Sequence, residues 1–432
     1  TATNADTYIA YANRFAGRTA NCEREADRTL TVNGLDVHLL KWTRPKLSRL
    51  PGDKNHYLSA EIIKNQYEVY TIFIKSQEPI SNEMDIIGSF QFIDRQGTPR
   101  NRITARPAIN RLNRETAALY DRYFLAANSL TWGIFEPSAP EALSYLTELE
   151  EKLDYFFPFV IRYQTLDEYL PRRGLENAYA NNRYVELTLQ TFFTGQQDPA
   201  GNHPDNDLVI YDILDGKYDD YFNTYAQNLK EFGHPVLFRL NNEMNGDWCR
   251  YSSYYTGKDT DLYKALWRYL RTIFAANGAD NVIWVWNPHD LSRPDFKWNN
   301  YLLYYPGDEW VEVVGLTGYN TGTYFPGEKW REFTDIYRPL YSEYQNSFAK
   351  PFMITEFGAN SAGGDKIAWL DRMFNHLNEF PNIKVAIWWN GVDYDKNGQP
   401  ARIYRLDETE ATIAAFRQHL KAFRPPDNNL SN

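Results

Sequence analysis

Pro235-Val-Leu-Phe-Arg-Leu-Asn-Asn-Glu-Met-Asn-Gly-Asp-Trp248 holds the fold in miniature. A short apolar run, opened by a proline and closed by polar residues and a glycine, reads as a buried strand that delivers Asn242 and Glu243 at its end. Seven further runs of that kind flank it: Leu130–Glu136, Tyr155–Tyr163, Tyr184–Phe192, Val282–Trp286, Val311–Thr317, Pro351–Thr355 and Lys384–Asn390. Segments of helical period lie between them, at Ala139–Leu153, Tyr221–Phe232, Asp261–Ala276, Lys329–Phe348 and Lys366–Phe380, with Glu408–Phe423 closing the chain. Eight strands alternating with helices predict an α/β protein built on a (β/α)8 TIM barrel over residues 126–432.

Residues 1–125 read differently. Short β-type runs (Asp36–Trp42, Leu58–Ile63, Tyr67–Lys75 and Met84–Ile93) are separated by turn chemistry, which predicts a small β-rich accessory module and a connector. Arg100, Arg102, Arg106, Arg111 and Arg114 fall in the connector and read as a solvated stretch. Trp42 is the only tryptophan before Trp132, so the module is expected to brace the barrel rather than present a sugar-binding face.

Composition narrows the function. The 432 residues are 43% hydrophobic and 24% charged, enough apolar content for a sizeable core, and no uncharged apolar run approaches the ~20 residues of a membrane helix. The net charge of −10 argues against nucleic acid or an anionic membrane as partner. Aromatic residues make up 16%, which fits either stacking on sugar rings or a large aromatic core. Cys22 and Cys249 form no metal-site or redox spacing, and a bond between them cannot be deduced. The chain opens Thr-Ala-Thr-Asn without an initiator Met, which reads as a mature, secreted protein; a monomer is expected.

In a TIM barrel, reacting groups sit at the C-terminal strand ends. Here those ends carry Trp132 and Glu136, Arg239, Asn242, Glu243 and Trp248, Trp286, Tyr319 and Asn320, Glu356, and Trp388 and Trp389. Indoles, amides and carboxylates on one face suit a sugar. Glu243 and Glu356 end the fourth and seventh strands, which face each other across a barrel mouth. A retaining glycosidase holds its two carboxyls ~5–5.5 Å apart, one as nucleophile and one as acid/base. A single Glu at a strand end is more often a cap or a surface ion pair; two of them in amide and indole surroundings favour chemistry. Arg239 is placed to hold one as a charged carboxylate, and Asn242 to meet a substrate hydroxyl.

These motifs, with Val282-Ile-Trp-Val-Trp-Asn-Pro288, Val314-Gly-Leu-Thr-Gly-Tyr-Asn320, Ile354-Thr-Glu-Phe-Gly358 and Trp388-Trp-Asn390, resemble glycoside hydrolase family 26, the β-mannanase family of a large clan of retaining glycosidases. The resemblance runs over about residues 130–420. It implies Glu243 as acid/base, Glu356 as nucleophile, a covalent glycosyl-enzyme intermediate, and a subsite lined by Arg239, Trp248, Tyr319 and Trp388 or Trp389. It implies a polysaccharide or oligosaccharide substrate and no cofactor. One position departs from the family, which typically carries His where this chain has Asn242; other families of the clan carry Asn there. The chemistry expected is therefore endo-cleavage of a β-linked polysaccharide, β-mannan by resemblance. β-Glucan, β-xylan or a microbial exopolysaccharide is the alternative, and a non-catalytic sugar binder the further one.

Other features carry less. Asp393-Tyr-Asp395-Lys-Asn397-Gly398 matches half of a calcium loop, but Tyr404 stands where the final Glu belongs, so a turn is expected and no metal. Asp393, Arg402 and Arg405, on that turn or just after it, are further candidate substrate contacts near the mouth, and His289 reads as a loop hydrogen-bonder or a distal sugar contact. Phe193, Tyr324, Trp132, Glu136, Trp286 and Asn320 are candidates for outer subsites. No phosphate loop or nucleophile elbow is present.

Overall fold

The computed structural model describes residues 3–18, 22–93, 112–194 and 208–423. A helix, Ala5–Ala12, precedes a four-stranded antiparallel sheet of β1 (Glu23–Val32), β2 (Leu35–Thr43), β3 (His56–Asn65) and β4 (Glu68–Ser76), paired in chain order. β1 escapes a hydrophobicity reading because most of Glu23–Thr29 is charged or polar. The Asn33-Gly34 turn is its signature: both residues have positive φ (53° and 78°), as a tight two-residue hairpin demands. The strand expected at Met84–Ile93 is instead a helix, Glu83–Gly88, with an irregular tail. Its apolar run is too short to show a period, and Ile87 of the helix packs under the sheet together with Ile80 just before it. Of the connector arginines, Arg114 opens a helix, and Arg100, Arg102, Arg106 and Arg111 lie outside the described residues.

The barrel closes as expected. β5 (Thr131–Phe135), β6 (Phe159–Thr165), β7 (Tyr184–Gln190), β8 (Val236–Leu240), β9 (Val282–Trp286), β10 (Val313–Thr317), β11 (Phe352–Phe357) and β12 (Ile383–Trp389) run parallel, and β12 pairs with β5. β6 starts later than Tyr155 because Pro158 has no N–H for a ladder. The helix Arg172–Ala180 went unpredicted; only Gly174, Leu175 and Ala178 of it are buried, too few to mark a period. The segment 114–125, grouped with the connector in the sequence reading, inserts Leu119, Tyr123 and Phe124 into the bottom of the barrel, beneath Phe159, Leu237, Val285, Met353 and Val385.

Strand parity sorts the core. On β12, Val385 and Ile387 face the interior while Ala386 and Trp388 face the helices; on β9, Ile283 and Val285 point in while Val282, Trp284 and Trp286 point out. On β7 the outward set is Val185, Leu187 and Leu189, so Glu186, Thr188 and Gln190 enter the barrel.

The module is tied to the loop between β8 and the helix Thr260–Ala276. Lys258, 3% exposed, donates to Ser59 Oγ at 2.9 Å and pairs with the fully buried Glu61. Tyr57 and Lys75 reach Asp259 at 2.8 and 2.7 Å, and Tyr11 donates to Asp247. Burying a lone charge costs several kcal/mol, so these pairs hold module and loop in a single arrangement.

Candidate active site

Beyond β8 the backbone turns sharply. Asn241 and Glu243 both have positive φ (51° and 54°), a conformation that costs a non-glycine residue about 1–3 kcal/mol and persists only where surroundings enforce it. Asn241 is pinned by Thr191, through the backbone N–H at 2.8 Å and Oγ1 at 2.9 Å. Glu243 is pinned by its own N–H, which donates to Asn287 O at 2.8 Å. The turn presents the Glu243 carboxyl to Trp248, whose Nε1 donates to Oε2 at 2.9 Å, and to His289, whose Nε2 lies 3.9 Å from Oε1. Gly246 makes this possible: a Cβ there would meet the Trp248 ring at 2.5 Å. Burial pushes the Glu243 carboxyl up to about 7; the charge of Glu356 adds to the shift, and His289 and Trp248 counter it.

Glu356 reaches the same cavity by a register break. Met353 points in and Ile354 out, so strict alternation would send Glu356 outward. Pairing with both neighbours slips between Ile354 and Phe357, which turns Glu356 inward. Its Oε2 accepts from Arg239 Nη2 at 2.9 Å and from the Tyr163 hydroxyl. Among the described residues nothing donates to its Oε1. Arg239 is fully buried and has no slack: Nε bonds Thr188 Oγ1 at 2.8 Å, Nη1 bonds Asn287 Oδ1 at 3.0 Å, and Glu186 Oε1 lies 2.7 Å from Nε. Burial raises the Glu186 carboxyl to about 8, Arg239 opposing the shift and the Glu356 charge adding to it.

Asn242 is buried beside this pair, its Oδ1 accepting from Gln190 at 3.0 Å and Tyr251 at 3.2 Å, which leaves Nδ2 as its donor. Tyr319 packs against Trp389 and Tyr404, with burial and the Glu356 charge holding its phenol well above the usual range. Trp389 enters from β12 and stacks on Phe135 at 5.1 Å. Trp248, 48% exposed, offers an open indole face. Glu243, Glu356, Arg239, Asn242, Trp248, Tyr319 and Trp389 therefore converge. Tyr163, Glu186, Gln190 and Asn287 join them unpredicted; inward parity on β6 and β7 is the signal that marks the first three.

Other expected contacts are elsewhere. Trp132, Trp286 and Trp388 are wholly buried on the outward side of the strands: Trp132 against Phe374 and Phe416, Trp286 against Tyr305 and Phe348, and Trp388 against Phe357 with its Nε1 bonded to Tyr404 O. Each stands at a parity that points away from the mouth. Glu136 spends Oε2 on the N–H groups of Ser138 and Ala139, and Asn320 spends Oδ1 on those of Gly322 and Arg331, so both fasten loops. Phe193 lies against Tyr218, Tyr324 donates to Asp395, and Arg402 and Arg405 are occupied by Glu328, Asp393 and Asp407. Asp395 Oδ1 accepts from the Asn397 and Gln399 N–H groups, closing a turn between two short strands. Cys22 and Cys249 are not bonded to each other.

Residues 196–386 match the family model for glycosyl hydrolase family 26. Endoglucanase H of Acetivibrio thermocellus is 31% identical over 214 residues, 49% of this chain and 23% of that protein. A mannan endo-1,4-beta-mannosidase of Bacillus subtilis is 34% identical over 146 residues, 32% of this chain and 34% of its own length. The chain spans about a quarter to a third of these two curated relatives. In three dimensions, the catalytic domain of the GH26 endo-beta-1,4-mannanase from Bacillus sp. JAMB-750 shares the fold with a TM-score of 0.53, at 18% identity over 73% of this chain and 92% of that one. Over residues 196–386 the barrel of this chain is similar to glycosyl hydrolase family 26.

Proposed function

We propose that the barrel is a retaining endo-glycoside hydrolase that cuts a β-linked polysaccharide, β-mannan first, outside the cell. The observation that carries the reading is the unequal treatment of two carboxyls. Glu243, its side chain only 14% exposed, is held by desolvation up to about 7, where it has a proton to give, whereas Glu356 has Arg239 and Tyr163 on one oxygen and the other open. In the first step Glu356 Oε1 attacks the anomeric carbon while Glu243 protonates the departing glycosidic oxygen, leaving a glycosyl ester on Glu356. In the second, Glu243 takes a proton from water, the water oxygen attacks the same carbon, and the ester bond breaks. Trp248 and Trp389 offer ring faces to sugars on either side.

A second glycan is favoured by one specific pairing. Asn242 presents an amide donor to the reacting sugar, and one relative is named an endoglucanase, so β-glucan is the next substrate to test. Reducing-sugar release from β-mannans, β-glucans, β-xylans and microbial exopolysaccharides, wild type beside Glu356→Ala, tests both. Release from β-mannan or β-glucan that vanishes in the variant is expected. Polymer binding without release by the wild type would make the barrel a sugar-binding protein instead.

A further inference from the structure

Helix Ala5–Ala12, strand β4 and the loop after β9 enclose a cleft of about 1030 Å³ that shares none of its lining with the carboxylate site. Tyr8, Tyr67, Tyr70 and Phe73 line it from the module, Phe296 and Trp298 from the barrel loop. Tyr67 and Tyr70 are 76% and 39% exposed, unusual for large rings on a free surface. Several of the rings are held in place. Tyr8 bonds Thr71 at 2.8 Å and meets Phe296 edge-on at 4.5 Å, and Tyr70 packs on Phe90 and Phe92. Asp295 and Lys297 stand at the rim with no partner among the described residues, one charge of each sign.

Fixed ring faces with a few hydroxyl, carboxylate and ammonium groups suit a ligand with apolar C–H faces and many hydroxyls. The balanced rim gives no purchase to an anionic ligand. The loop that forms one wall also carries His289, 3.9 Å from Glu243, and Ser292, whose Oγ accepts from Asn245 at 3.1 Å. We propose that this cleft is a second, non-hydrolytic binding site for an uncharged polysaccharide segment. It rests on the glycosidase reading, and it holds polymer beside the cutting site so that the second engagement is intramolecular.

The test uses the full chain. In native gels containing soluble β-mannan or soluble β-glucan, a Glu356→Ala protein is compared with the same protein carrying Tyr67→Ala and Tyr70→Ala. The expected result is retardation by the first, weakened about tenfold in the second. In the active enzyme, the paired substitution raises KM on the polymer by a similar factor and leaves kcat/KM on a short oligosaccharide unchanged. Tyr67→Ala alone, at an exposed turn, repeats the effect in part and controls for folding. Equal retardation and equal polymer KM would overturn the cleft proposal while leaving the glycosidase reading intact. A wild type that releases sugar from no polymer would overturn the glycosidase reading, and the retardation comparison would still decide the cleft.

Discussion

Desolvation holds the Glu243 carboxyl up to about 7, and that assigns a pH dependence. With Glu243 as the proposed acid, activity needs the protonated form, so kcat/KM is expected to fall as pH rises through about 7. Glu243→Gln removes this descending limb and lowers kcat/KM on polymer by roughly 10²–10⁴-fold, while an aryl glycoside with a good leaving group loses far less. A pH–rate profile with an unchanged alkaline limb in the variant would refute the assignment. The neighbouring tryptophans of β12 separate in the same way at the level of single side chains. Trp388 is wholly buried and bonds Tyr404 O, so Trp388→Ala should cost about 3–5 kcal/mol of stability. Trp389 faces the mouth, so Trp389→Ala should raise KM with a much smaller loss. Thermal melts beside steady-state kinetics for both variants check the pair.

At the scale of elements, the loop 241–259 is where strand, site and module meet. It carries Glu243 and Trp248, and its far end is clamped by Lys258 to Glu61 and by Asp259 to Tyr57 and Lys75. Lys258→Met would leave the Glu61 carboxyl buried without its cation, a change worth about 3–5 kcal/mol. The expected outcome is a lower melting temperature together with reduced kcat/KM, because the loop that positions Trp248 loosens with the clamp. Loss of stability with unaltered kinetics at low temperature would show that the module supports the barrel without supporting the site. The module contacts this loop through those pairs, and the cleft at its edge adds a surface that a count of tryptophans missed, since its rings are mostly tyrosines and phenylalanines.

For the whole molecule, the eight barrel strands and most intervening helices were legible because a buried parallel strand must be a short apolar run, and an outer helix must show a 3.6-residue period. The same chain pattern placed Glu243 and Glu356 at strand ends. Local sequence could not say which side of a strand a residue takes once the register slips. Trp132, Trp286 and Trp388 looked like sugar platforms and are core, by parity. Glu356 faces the cavity only because pairing breaks on both its neighbours. Tyr163, Glu186 and Asn287 meet Arg239 and the two carboxyls from separate strands, a convergence that exists only after closure. Sequence by itself determined the barrel, the strand-end positions of Glu243 and Glu356 and the resemblance to family 26, because each depends on residue type and spacing along the chain. Tertiary structure alone decided which indoles face the barrel mouth, what holds Arg239, and where the module forms its cleft, because those depend on contacts between segments far apart in the chain.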